Sequence, residues 1–212
     1  MVEIIPTILT SDVREIIEKF SRLEGLSGRV QIDIIDGQFA QNKTVDPSAL
    51  ETLDTTLNLD FHLMTKEPID WIERAVRGGA ERIIGQIEKM SDQAAYLGKV
   101  QELGKSAGLA IDIDTPVSSF DPTILSNFDV VLVMSVKAGQ GGQKFDERAV
   151  LKVKQLDKIR AKDGSSFRIC VDGGITPEIV TELTKAGADE IAVGERLFEG
   201  DLAVNIEKYR KA

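Results

Sequence analysis

Apolar residues gather in short runs at positions 4–9, 30–35, 59–64, 82–87, 109–113, 130–136, 167–171 and 190–193, each of strand length. Between them, apolar positions recur at three and four, the spacing of one helix face, over 13–23, 71–76, 94–103, 150–159 and 179–186. Strand and helix patterns therefore alternate. Several runs are apolar almost throughout, which predicts parallel strands covered on both faces, with the intervening helices as crossovers.

Eight such units in 212 residues fit a compact (β/α)₈ barrel, the TIM barrel, with a doubly wound open sheet as the rival. An internal echo favours the barrel. IERAVRGGAERII at 72–84 resembles VTELTKAGADEIA at 180–192, each reading as helix, glycine turn, acid and strand. The copies lead into the fourth and eighth runs, an offset that two half-barrels would produce; chance similarity in so common a turn is the plain alternative. No linker, low-complexity stretch or break in composition divides the chain, so residues 1–212 are read as one domain.

Composition then narrows the function. With 26 Lys and Arg against 35 Asp and Glu the net charge is −9, which repels a phosphate backbone and an anionic membrane surface alike. A nucleic-acid partner is excluded on that ground. A lone cysteine, Cys170, forms no internal disulfide and fits a reducing compartment, the cytoplasm by default. No apolar run reaches the roughly 18 residues of a membrane span, and Glu3 and Pro6 interrupt the first run, so neither export nor anchoring is signalled.

In a barrel the chemistry sits at the C-terminal ends of the strands. The polar residues there are Thr7, Gln31, Asp33, Asp36, His62, Gln86, Asp112, Asp114, Ser135, Asp172 and Glu195. Asp33 and Asp172 fall on the second and seventh strands, three apart in a ring of eight, and are expected to face each other across the mouth. Two carboxylates flanking one ligand suit removal of a proton alpha to a carbonyl from one face and its return to the other. Capping of loops or helix N-termini is the ordinary alternative for each acid. His62, the only histidine, belongs beside Asp33 and offers either a divalent-metal ligand or a hydrogen-bonded structural ring. Glycines follow strand six at Gly139, Gly141 and Gly142, strand seven at Gly173 and Gly174, and strand eight at Gly194. They either present backbone N–H groups to a phosphate or make tight turns.

PTILTSD at Pro6, QIDIIDGQF at Gln31, FHLM at Phe61, VLVMSVKAGQGGQKF at Val131 and VDGGI at Val171 lie in that order at strand ends. Together they resemble the ribulose-phosphate 3-epimerase family, over nearly the whole chain. The resemblance implies a ribulose-phosphate binding barrel and a metal-assisted 1,1-proton transfer at carbon 3 of a ketose phosphate, interconverting ribulose 5-phosphate and xylulose 5-phosphate. It implies Asp33 and Asp172 as the acid and base, which also bind a divalent cation with His62 and, in place of a second histidine, Gln31. Thr7, Met64, Met134, Gly141, Gly142, Gly173, Gly174, Gly194 and Glu195 would line the substrate site, the partner being a small sugar phosphate and a homo-oligomer remaining open.

Departures from the family motifs cluster in the pocket. Gln31 offers an amide oxygen where the family has an imidazole, which weakens Zn²⁺ and makes Mg²⁺ or Mn²⁺ relatively more suitable. Ile35 replaces a methionine, residues 138–140 differ in the covering loop, and Gln86 stands where histidine is common. Glu195 stands at the phosphate subsite, where a carboxylate repels each negative charge of a phosphate by roughly 4 kcal/mol at 4 Å and an effective dielectric of 20. Asp112 and Asp114 add negative charge, with Lys137 as the compensating cation. These departures motivate two rivals: a barrel that has lost the epimerase reaction and binds another ligand or partner, and an isomerase of a non-phosphorylated substrate. Retention of both aspartates and His62 favours an enzyme.

Overall fold

The computed structural model describes residues 2–212. Eight parallel strands close into a barrel in chain order: β1 (Glu3–Ile8), β2 (Arg29–Ile35), β3 (Asn58–Met64), β4 (Ala80–Gln86), β5 (Ser106–Ile111), β6 (Val130–Met134), β7 (Arg168–Asp172) and β8 (Glu190–Val193). Closure excludes the open sheet: β1 pairs with both β2 and β8.

Outside the strands lie α1 (Val13–Leu23), α2 (Ile72–Arg77), α3 (Gln93–Glu102), α4 (Arg148–Asp163), α5 (Pro177–Ala186), α6 (Glu195–Phe198) and α7 (Leu202–Arg210). Helix α1 forms where expected: Asp12 caps its N-terminus by accepting from the Arg14 N–H, and Ile16, Phe20 and Leu23 bury one stripe. Lys19 lies on that same buried stripe.

Two crossovers differ from the expected strand–helix alternation. The β2–β3 connection holds only a 3₁₀ turn, Pro47–Leu50, and the β5–β6 connection two, Val117–Ser119 and Leu125–Asn127. Pro47, Pro116 and Pro122 interrupt these stretches, and proline both lacks the N–H of a helix interior and disfavours helical backbone before it. Strand β6 ends at Met134 rather than at 136, and just beyond it the Ser135 hydroxyl donates to the Asp172 carbonyl of β7 at 2.8 Å. The sequence pattern missed α7, which Asp201 caps through the Val204 N–H.

The echoed segments occupy equivalent places. Gly79 after α2 and Gly187 after α5 both take left-handed backbone, φ 88° and 113°. Ten residues into each copy stand Arg82 and Glu190, and these meet inside the barrel in two hydrogen bonds of 2.9 and 2.7 Å. Equivalent positions of the two copies thus pair with each other, as half-barrels facing across one axis would place them.

Side chains alternate along each strand, so every second residue points into the barrel. Leu59, Phe61 and Leu63 of β3 pack outward under the helices, while Asp60, His62 and Met64 point inward. The same rule turns Gln31, Asp33 and Ile35 of β2, and Cys170 and Asp172 of β7, to the interior.

Candidate active site

Asp33, His62 and Asp172 are buried together at the C-terminal end of the barrel, with ligand-capable atoms all within 4.8 Å of one another. Strands β2 and β3 pair Asp33 directly with His62 in register, and the His62 Nδ1 lies 3.2 Å from Asp33 Oδ1. Asp172 arrives from β7. The two carboxylates converge on the Gln31 amide, which stands between them. Its Nε2 lies 2.9 Å from Asp33 Oδ1, 2.6 Å from Asp172 Oδ2 and 3.0 Å from Thr7 Oγ1. One NH₂ carries two hydrogens, so three acceptors compete for it, and the amide oxygen of Gln31 has no partner.

Electrostatics follow from that crowding. Burial, reinforced by the charge on Asp33, pushes the Asp172 carboxyl up to about 7. Burial opposes charge on His62 more than any single partner favours it, but the hydrogen bond and charge of Asp33, the Gln86 hydrogen bond and the charge of Asp172 together outweigh it and raise the imidazole above its ordinary value. The ring lies between two acceptors, with its Nε2 2.7 Å from Gln86 Oε1.

The donor set fits a divalent cation under one condition. Gln86 Oε1 accepts from the His62 Nε2–H, which leaves Nδ1 as the nitrogen facing Asp33 and able to ligate. Asp33 and Asp172 supply carboxylate oxygens. Gln31 presents nitrogen to the carboxylates, so it would have to rotate its amide to present the now unpartnered oxygen. Such a set of two carboxylates, one imidazole and one amide oxygen favours a harder ion than a two-histidine set does.

Above these residues opens a pocket with a cavity volume of about 180 Å³. Asp33 and Asp172 form its floor, Met64 and Met134 its apolar wall, and Thr7 its β1 side. Gly141, Gly142, Gly173, Gly174, Gly194, Glu195 and Arg196 are also among its lining residues. His62, Gln31 and Gln86 lie beneath the floor. Gly174 takes φ 62°, and a Cβ there would stand 2.5 Å from the Phe145 nitrogen, so the loops after β6 and β7 approach closely only because it is glycine. Gln143 braces the covering loop from within, its amide donating to the Lys137 and Gln140 carbonyls at 2.7 Å each.

Other acids serve the scaffold. Asp36 accepts from the N–H groups of Gln38, Phe39 and Lys66 and clamps two loops. Asp112 accepts from Ile113 and Ala138 N–H groups, and Asp114 pairs with Arg148 at 3.0 Å. Neither Asp112 nor Asp114 lines the pocket. The compensating cation for Glu195 is not Lys137 but Lys19, whose Nζ lies 2.5 Å from Glu195 Oε1. Barrel closure explains the partner: β8 adjoins β1, which brings α1 beside the residues after β8. A lysine in register with Ile16, Phe20 and Leu23 was the available sequence signal. Among the described residues no helix is long and apolar enough to cross a membrane.

Comparisons with known proteins agree with this architecture. A Pyrococcus furiosus N-(5'-phosphoribosyl)anthranilate isomerase superposes over 100% of both chains with a TM-score of 0.63 at 13% identity. A Vibrio cholerae 3-keto-L-gulonate-6-phosphate decarboxylase covers 99% of this chain and 96% of its own, with a TM-score of 0.71 at 14% identity. Those likenesses speak for the fold alone. In sequence, the chain is 35% identical over 203 residues to the ribulose-phosphate 3-epimerase of Chlamydia pneumoniae, covering 92% of this chain and 87% of that one. It is 33% identical over 199 residues to the chloroplastic ribulose-5-phosphate-3-epimerase of Arabidopsis thaliana, covering 91% and 70%. The profile of the Ribulose-phosphate 3 epimerase family matches residues 3–198. From β1 through α6, then, the chain belongs to the ribulose-phosphate 3-epimerase family, a family of isomerases.

Proposed function

We propose that the chain inverts carbon 3 of a ketose phosphate, ribulose 5-phosphate and xylulose 5-phosphate being the pair, by proton transfer between Asp33 and Asp172. The observation that carries this reading is the meeting of two buried carboxylates, from β2 and β7, at the floor of a pocket. One carboxylate removes the carbon-3 proton and the other returns a proton to the opposite face, so the carbon inverts. Asp172, pushed up to about 7, still holds a proton near neutrality and is suited to the donating role. Asp33 is oriented by His62 and Gln31 and takes the abstracting role; in the reverse direction the roles exchange. Met64 and Met134 keep water from the reacting carbon. A divalent cation held by Asp33, His62, Asp172 and the rotated Gln31 would stabilise negative charge developing on the substrate oxygens.

The test is exchange of the carbon-3 hydrogen of ribulose 5-phosphate with solvent deuterium, followed by NMR, with Mg²⁺, Mn²⁺, Zn²⁺ and Fe²⁺ each supplied. Exchange is expected; its absence with all four metals at high enzyme concentration removes the reading. Glu195 on the pocket wall supports a second reading, an isomerase of a non-phosphorylated ketose. Faster exchange on ribulose than on ribulose 5-phosphate would establish that one instead.

A further inference from the structure

Lys19 sits buried between two acids. Its Nζ lies 2.8 Å from Glu15 Oε1, 2.5 Å from Glu195 Oε1 and 4.7 Å from the centre of the Phe198 ring, with only 7% of its side chain exposed. The Thr10 hydroxyl holds Glu15 from the other side. Glu195 is thereby tethered toward α1. The next residue, Arg196, is the only lysine or arginine among the described residues that line the pocket. Its one hydrogen bond is a 3.3 Å contact to the Gly174 carbonyl, and among the described residues it enters no ion pair.

Two adjacent residues at the same pocket end thus carry opposite charges in unlike circumstances. The Lys19 ammonium and its two carboxylates sum to a net charge of −1, but contact with Lys19 draws the Glu195 carboxylate toward α1, so that charge is centred on the trio rather than on the pocket. The Arg196 guanidinium has no such partner, and its planar fork matches two oxygens of a phosphate. We propose that Arg196 binds the phosphate of the substrate, and that Lys19 is the specificity-determining residue that permits this by holding the Glu195 carboxylate away from the anion. The proposal rests on the sugar-phosphate reading above and adds to it a charge arrangement at the phosphate end of the pocket.

Titration of the full chain with inorganic phosphate, followed by phosphorus NMR, reads this subsite without chemistry, and KM for ribulose 5-phosphate reads it with chemistry. Arg196→Gln weakens phosphate about tenfold, a loss that shrinks as salt screens the exposed charge. Lys19→Met weakens it by a similar factor through the released Glu195. Adding Glu195→Gln to Lys19→Met restores the affinity, whereas Glu195→Gln alone changes it by less than about threefold. A lysine with a merely structural role would not produce that non-additive cycle. If Lys19→Met does not fold, Lys19→Gln takes its place in the cycle, and Lys19→Arg keeps the affinity of the original. Unchanged phosphate binding in Arg196→Gln, or additive effects in the cycle, overturns the proposal. A chain that binds no phosphate yet exchanges carbon 3 of ribulose 5-phosphate overturns the subsite alone; one that does neither overturns the sugar-phosphate reading with it.

Discussion

Each end of the barrel interior buries two carboxylates, and the two pairs are treated oppositely. At the N-terminal end of the strands, Asp60 accepts from Arg29 and Arg82, and Glu190 accepts from Arg82 and pairs with Arg168 at 2.8 Å. Burial opposes the Arg82 guanidinium, yet Asp60 and Glu190 outweigh it and hold the side chain charged. Among the described residues no arginine or lysine pairs with the two acids at the C-terminal end. Asp33 and Asp172 share the Gln31 amide, Asp33 also meets the His62 imidazole, and of the four buried polar side-chain atoms without a partner among the described residues two, Gln31 Oε1 and Gln86 Nε2, belong to the residues that hold this group. Burial still raises the Asp60 carboxyl above its ordinary value, but arginines occupy both acids of the first pair. The absence of such pairing leaves the second able to take up and release protons, and to attract a cation, at the end where the pocket opens.

The largest expected effect separates the two ends by what each substitution destroys. Asp33→Asn or Asp172→Asn lowers the rate of carbon-3 inversion by about 10²–10⁴-fold, while thermal unfolding shows a protein no less stable, since one of two like buried charges is gone. A fall in melting temperature comparable to that of a core mutation would show that the upper pair is structural. At the other end the effect is on stability. Arg82→Met leaves Asp60 and Glu190 buried without their shared cation and costs about 3–5 kcal/mol in urea unfolding. Replacing Asp60, Arg82 and Glu190 together by apolar residues of similar volume recovers most of that loss; failure to recover it would mean that the ion network also specifies the fold.

A third substitution sharpens the difference in cation affinity. Gln31→His restores an imidazole and raises Zn²⁺ affinity by about 10–100-fold in calorimetric titration. Tight stoichiometric Zn²⁺ in the original chain would contradict the handicap assigned to the amide. The smallest effect belongs to an acid outside both clusters. Asp114→Ala removes an exposed ion pair with Arg148, changes stability by less than about 1 kcal/mol, and leaves deuterium exchange at its original rate. A marked loss of exchange would return Asp114 to the site from which its position excludes it.

Particular residues show how far the site was legible beforehand. Asp33, His62 and Asp172 were read from their strand ends, because alternation along a strand and the position of a strand in the ring together fix which way a side chain points. Their close approach was not read. The sequence pattern places Asp33 and Asp172 three strands apart, and only the tilt of the strands and the Gln31 amide bring their oxygens together. Glu195 was recognised as a charge at odds with a phosphate, but its partner lies 176 residues away on α1. Asp60 escaped notice as a buried ion because β3 alone gives no sign of the arginines that β2 and β4 bring to it.

Local order came from the chain itself. The apolar runs, the Asp12 cap, the prolines that interrupt two crossovers and the echo at 72–84 and 180–192 are properties of neighbours in sequence, decided by backbone sterics and by burial of one face. Tertiary structure decided the chemistry that depends on dielectric and on distant partners. Closing β8 against β1 brought Lys19 to Glu195, and burying Asp172 beside Asp33 moved its carboxyl to about 7. The physical reason is that a charge is set by everything within a few ångströms, and in a barrel those neighbours come from strands far apart along the chain.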